Sequence, residues 1–450
     1  MGGINKKLLD EFRKNITKNS KYRVLQNALT QNAVNDIALN REVIFSTDHS
    51  FSHHIDDWPV TNQKSSGRCW IFAGLNMLRP GIMKKLNIKE FEFSQNFVLF
   101  WDKMERANFF FENIVSTANR DVDDRSIAHI LSNAISDGGQ WDMLAGVIKK
   151  YGLVPKNFMP ETYSSSNTRQ LNMILLLKMQ QGAKILREMV SSGAEEDDIT
   201  GTQKEFLNTI YRILAMHLGT PPESFVWQWM DKDRKFHRVE EMTPLEFADR
   251  YLDTRVEDYI CLVHDPRPYH PPMKTYTVEF LGNIIDGEEV KYLNVPIDVL
   301  KDTASRIIQE GTPVWFGCDV GKMMDRKLGI MDLNLFEYRE IYDTDFTLDK
   351  ASRLEYHQTA MNHAMLFTGV DIVDGKPRRW RVENSWGEDP GKKGYFVLND
   401  PWFDEHMFEI AAHKRYLSAE ILEAYKQPPI HLPAWDPMGS LAANPGQLLL

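Results

Sequence analysis

Near residue 294 the chain changes its hydrophobic period, and that change limits the folds open to it more than any other feature. Before it, apolar residues recur at helical spacing. Leu8, Leu9, Phe12 and Ile16 mark one helical face, which predicts a helix followed by an extended arm. Cys69–Leu78 reads as a helix with Ile71, Phe72, Leu75, Met77 and Leu78 apolar, and Pro80-Gly81 marks a break or kink. The helical pattern returns on both sides of Gly138-Gly139. Residues 165–218 form two long helical stretches through Leu171, Ile174, Leu175, Met179 and Ile185, separated by a solvated acidic helix start at Glu195–Asp198. After the change, Thr312–Val320, Ala364–Ile372, Arg378–Glu383 and Gly394–Leu398 are strand-rich. Helices first and strands second predict an α+β chain with a cleft between two halves.

Composition narrows the function classes. The 450 residues are 42% hydrophobic and 26% charged, which excludes disordered and fibrous classes and allows a large core. A net charge of -10 weighs against nonspecific nucleic-acid binding. Lys6 and Lys7 precede no apolar run, so no secretory signal is expected, and Lys6 stands where a myristoylation motif needs Ser or Thr. No segment has the apolar length of a membrane span. Three cysteines, at 69, 261 and 318, are too few for a disulfide framework, and a reducing cytoplasm is the expected home. No CxxC, HExxH, GxGxxG, Walker A or GxSxG string occurs, so neither metal nor cofactor is expected.

The segment Gln63-Lys64-Ser65-Ser66-Gly67-Arg68-Cys69-Trp70 carries the first chemical signal. Cysteine attacks as thiolate, and a free thiol near pKa 8.5 needs help to ionise at neutrality. The first turn of a helix provides unpaired N–H groups and the positive end of the macrodipole. Cys69 opens such a helix, and Arg68 adds a nearby charge. Gln63, on the loop before it, can aim a carboxamide N–H at the same space as the Cys69 backbone N–H. Two such donors make an oxyanion hole. Taken alone, Cys69 reads as a small buried hydrophobe.

Its partners lie far downstream. His363 enters a strand 294 residues later, and Asn384 follows within Glu383-Asn384-Ser385-Trp386-Gly387. A histidine has the pKa to take the thiol proton and return it to the leaving amine. A neutral amide can orient the imidazole without taking its proton. Trp386 can cover that hydrogen bond. Taken alone, His363 is a strand-end histidine and Asn384 a turn residue.

Gln-x5-Cys-Trp, His-Ala and Asn-Ser-Trp-Gly, in that order, resemble the papain-like cysteine peptidases. The strings 62–73 (NQKSSGRCWIFA), 136–143 (SDGGQWDM), 362–370 (NHAMLFTGV), 382–388 (VENSWGE) and 434–442 (AWDPMGSLA) are similar to the bleomycin hydrolase and aminopeptidase C branch over nearly the whole chain. Ser66 stands where secreted relatives carry a disulfide cysteine, and the Cys-to-His gap exceeds their roughly 130–150 residues. The resemblance implies a two-lobed papain-like core with a large helical insertion and a C-terminal arm. Its segments would be a hook at 1–50, a helical lobe with the nucleophile at 51–160, the insertion at 161–290, a β-rich lobe at 291–430 and the arm at 431–450.

It also implies a cysteine aminopeptidase acting through a thioester on peptides with a free N-terminus, assembled as a homohexamer. Cys69, His363, Asn384 and Gln63 would be catalytic. Gly138, Gly139, Trp386 and Ala442 would contact substrate, the two glycines as a backbone edge that pairs with it. Residues 443–450 extend beyond the branch's usual end, so either they are trimmed toward Ala442, the reading we adopt, or the arm follows a different path. An endopeptidase is the alternative if that tail leaves the cleft open. A nucleic-acid-binding scaffold on a dormant peptidase fold is the other. His53-His54-Ile55-Asp56-Asp57 reads as a solvated loop rather than metal ligands, Cys261 and Cys318 as buried and inert, and His264, Asp265 and His270 receive no role.

Overall fold

A computed structural model of the protein describes residues 2–442. The proposed trimming of residues 443–450 falls outside the described residues. Helices α1 (Lys6–Lys18) and α2 (Ser20–Leu29) begin the chain. The extended arm expected after α1 is therefore a second helix, because Asn19 caps α2 by accepting from the Lys21 N–H. No residue of α1 is buried, and its apolar face at Phe12 and Ile16 stays exposed.

Helix α3 (Cys69–Lys85) continues through Pro80. The expected break does not occur. A proline removes one N–H from the ladder, and burial of Met77, Leu78 and Ile82 around it holds the turn. Helix α4 (Gln95–Ser116) is capped by the Ser94 side chain, and α5 (Arg125–Ser132) and α6 (Trp141–Tyr151) flank the Gly138-Gly139 loop. Helices α7 (Arg169–Ser191) and α8 (Glu196–Leu218) form the long pair expected at 165–218. The buried stripe of α7 runs Leu171, Leu175, Met179, Gly182 and Leu186, whereas Ile174 is exposed. Gly182 sits where an added Cβ would lie 2.6 Å from the Phe111 ring, so this residue lets α7 approach α4 closely.

The strands are β1 (Tyr259–Val263), β2 (Thr275–Val278), β3 (Tyr292–Asn294), β4 (Val314–Cys318), β5 (His363–Val373), β6 (Lys376–Glu383), β7 (Tyr395–Asn399), β8 (Met407–His413) and β9 (Ile430–Leu432). They join a mixed sheet in the order β9-β2-β3-β1-β8-β4-β5-β6-β7, extended by short strands beyond β7. Three of these strands, β1, β2 and β3, precede residue 295, so the sheet begins earlier than the change of period predicts.

Strand β4 explains why its run is apolar without alternation. Trp315 packs with the helices, while Val314 and Phe316 pack into the core on the other face. Burial on both faces erases the period-two signal. His53–His54 pairs with Val370 and Gly369 on β5, and Asp57 accepts from Arg381. Among the described residues, no group of three or more His, Cys, Asp or Glu could hold a metal ion. No helix among them is long and apolar enough to cross a membrane.

Candidate active site

Cys69 is the first residue of α3, and its Sγ accepts a hydrogen bond from the Ala364 N–H at 3.4 Å. Ala364 is the neighbour of His363 on β5, so the helix start and the strand start meet across 295 positions. His363 pairs in register with Cys318 on β4. Its Nε2 lies 2.9 Å from Asn384 Oδ1. That oxygen can only accept, so Nε2 carries the proton and Nδ1 keeps the lone pair a general base needs. Asn384 Oδ1 also accepts from the Ser385 N–H at 2.8 Å, which fixes its orientation. Trp386 stacks on the imidazole with ring centroids 4.9 Å apart. Arg326 lies over the Trp386 ring at 4.5 Å.

Burial pushes the Cys69 thiol up to about 11, against the pull of the Ala364, Trp70 and Cys69 N–H groups. Burial lowers His363 to about 4, opposed by its bond to Asn384. Each direction holds while the other group is uncharged. Moving the proton from Sγ to the imidazole makes both charges together, and their attraction opposes the desolvation that each would meet alone.

Gln63 is held beside this pair by backbone. Its N–H donates to the Ser385 carbonyl at 2.8 Å, and the Gly387 N–H donates to the Thr61 carbonyl at 3.0 Å. Gly387 has φ +79°, and a Cβ there would lie 2.6 Å from Asn62 Nδ2, so only glycine lets the two loops run side by side. The Gln63 side chain accepts from Ser385 Oγ and donates one amide hydrogen to the Ser66 carbonyl, each at 2.5 Å. Its amide nitrogen carries a second hydrogen beyond the one given to Ser66.

Arg68 does not act as expected. It is fully buried and forms two parallel bonds to Glu161, at 2.9 and 2.7 Å. Its charge is spent on fixing the loop before Cys69. The Gly138 carbonyl accepts from the Arg106 guanidinium, and Gly139 packs against Trp70 so closely that a Cβ would lie 2.6 Å from the indole. Ala442 closes the last turn, Pro437–Ala442, and is described by its backbone alone. Ser440, two residues earlier, donates to the Met361 carbonyl at 2.6 Å, which places this turn beside the approach to His363. Cys261 and Cys318 are buried and free, as expected.

Three supporting residues escaped the sequence. Asp137 gathers Gly67 N–H, Lys103, Thr168 and Asn172 on its carboxylate, tying the glycine loop to the loop before Cys69. Glu383, beside Asn384, accepts from Asn76 on α3 at 2.7 Å and from Trp58 Nε1 at 2.7 Å. Asp319 accepts from Thr359 and Asn362, which lead into His363. An acidic residue directly before Gly-Gly or before Asn384 is the only local signal any of them left.

The Peptidase C1-like family model matches residues 3–439. Bleomycin hydrolase of Homo sapiens is 44% identical over 98% of this chain and 99% of its own. Aminopeptidase C of Listeria innocua is 44% identical over 96% and 98%. The crystal structure of PepW from Lactobacillus rhamnosis superposes with a TM-score of 0.95 at 44% identity, over 97% of this chain and 99% of that one. With a thiol, an imidazole and an amide gathered at one site and near-full-length matches, the chain belongs to the Peptidase C1-like family of cysteine peptidases.

Proposed function

We propose that this chain is a cysteine aminopeptidase in which Cys69 attacks the first peptide bond of a substrate with a free N-terminus. Its relatives are bleomycin hydrolases and aminopeptidases C, which favours this activity over both the endopeptidase and the scaffold alternatives. His363 takes the thiol proton and passes it to the leaving amine, and Asn384 holds the imidazole. The oxyanion sits between the Cys69 N–H and the Gln63 amide. Water then hydrolyses the thioester with His363 as base. Gly138 and Gly139 offer the backbone edge along which substrate lies, with Trp386 shielding the imidazole and Ala442 near the substrate's amino end.

The observation that carries this reading is the 3.4 Å contact of Cys69 Sγ with the N–H beside His363, while His363 is held from its other side by Asn384. The exposed apolar face of α1 supports its use as a hook in a homohexamer. The same five segments, 1–50, 51–160, 161–290, 291–430 and 431–450, serve as hook, helical lobe, insertion, β-rich lobe and arm. Three free cysteines support residence in the cytoplasm.

Kinetics on paired peptides test the activity. A free peptide should be cut one residue from its start, and its N-acetylated twin should resist. Equal cleavage of both would overturn the aminopeptidase reading in favour of the endopeptidase.

A further inference from the structure

Among the described residues after Leu432, regular structure is confined to a single turn at Pro437–Ala442. Side-chain anchors must therefore set its position. One anchor stands out chemically. Arg267 is buried, and its guanidinium spans two buried carboxylates. It donates to Asp265 through Nε at 2.9 Å and through one terminal nitrogen at 2.7 Å. It donates to Asp436 through both terminal nitrogens, at 2.9 and 3.0 Å. His270 closes the set, with Nδ1 2.6 Å from Asp265. Asn294 on β3 braces it from the sheet side, accepting from the Asp265 N–H and donating to the Asp265 and His270 carbonyls.

Asp436 is the arm's member of this set. It also accepts from the Met438 N–H at 2.9 Å, so the guanidinium fixes the start of the final turn. From there Met438 and Leu441 are buried, and the Met438 carbonyl accepts from Tyr292. The arm lines a cavity of about 320 Å³ together with Arg106, the residue that holds the Gly138 carbonyl. Asp436 itself lines this cavity, so the clamp holds the arm where it borders the space beside Arg106.

We propose that Arg267 is a specificity-determining positioning residue, whose bridge from Asp265 to Asp436 fixes the arm across the cleft and so restricts cleavage to the first residue. The proposal rests on the aminopeptidase reading above. A planar fork that meets two carboxylates at once sets both distance and direction, which a lysine ammonium cannot do. Burial alone would raise the Asp265 carboxyl, but His270 and Arg267 hold it down to about 2, so the clamp is charged at neutral pH.

The test compares Arg267→Met, Arg267→Lys, Asp436→Asn and a chain ending at Pro433 with the parent. Asp436→Asn leaves Asp265, Arg267 and His270 in place and guards against misfolding of the body. The readout is the ratio of kcat/KM for internal cleavage of an N-acetylated peptide to that for its free twin. We expect the truncation to raise the ratio, and Arg267→Met and Asp436→Asn to raise it at least tenfold, mainly through KM for the free peptide. Arg267→Lys should not restore the parent value. If the truncation raises the ratio while both point variants stay within twofold of the parent, the clamp is overturned and the arm's role stands. If the truncation leaves the ratio unchanged, the arm's role falls, and the clamp with it.

Discussion

At the scale of the residue, Asp137 decides more than its place in the sequence announces. Its carboxylate meets the buried Lys103 ammonium at 2.8 Å, and Lys103 has few other partners. Asp137→Asn should therefore cost about 3–5 kcal/mol by urea unfolding, since it leaves a buried ammonium without its counter-charge. A loss under about 1 kcal/mol would refute this. Burial alone would raise the Asp137 carboxyl, but Lys103, Thr168 and Asn172 hold it well below the usual range. Its stabilisation is full above the unfolded value of about 3.9 and is lost as pH falls below that. The urea midpoint of the parent should drop between pH 5 and pH 3, and drop less in Asp137→Asn. Gln63→Ala should lower kcat by about 10²–10³-fold with KM little changed, if its second amide hydrogen meets the oxyanion. The gathering of Cys69, His363, Asn384 and Gln63 was readable because residue type and order pointed to it. Asp137, Arg68 and Glu383 were not, because an Asp or Arg reveals its burial and partner only when distant segments fold together.

At the scale of the element, local patterns read well where one face is buried and poorly where two are. The pair α7 and α8 was legible from its stripe and from the acidic start at Glu195, and α3 from its apolar run. Pro80 misled because its cost is local and the packing around Met77 and Ile82 is not. Strands β1 to β3 hid among prolines as short runs of three to five residues. Two glycines test this view of packing. Gly139→Ala would drive a methyl into the Trp70 ring, which is fully buried and held by Nε1 on the Asp137 carbonyl. It should cost about 1–3 kcal/mol. Gly201, within α8, has nothing within 4 Å of an added Cβ, and Gly201→Ala should stabilise by about 0.5–1 kcal/mol. Thermal melts of the two variants give opposite signs, and equal signs would contradict the packing account.

At the scale of the whole molecule, the α+β class followed from the chain's change of period, while the strand order did not. Neighbours such as β8 and β4 lie far apart in sequence, and no local pattern encodes their pairing. The candidate site lies where α3 meets β5, so it depends on that long-range assembly. Sedimentation of the intact chain should give a hexamer, and a chain starting at residue 21, without the exposed face of α1, should sediment as a smaller species. The central claim is the thiol itself. Its most direct test is turnover of a fluorogenic aminoacyl amide by the parent and by Cys69→Ala, each with and without an alkylating thiol inhibitor. The account predicts a folded Cys69→Ala protein whose kcat/KM falls by roughly 10⁴-fold or more, and a parent silenced by the inhibitor. Inhibitor-sensitive turnover that survives in Cys69→Ala would contradict it.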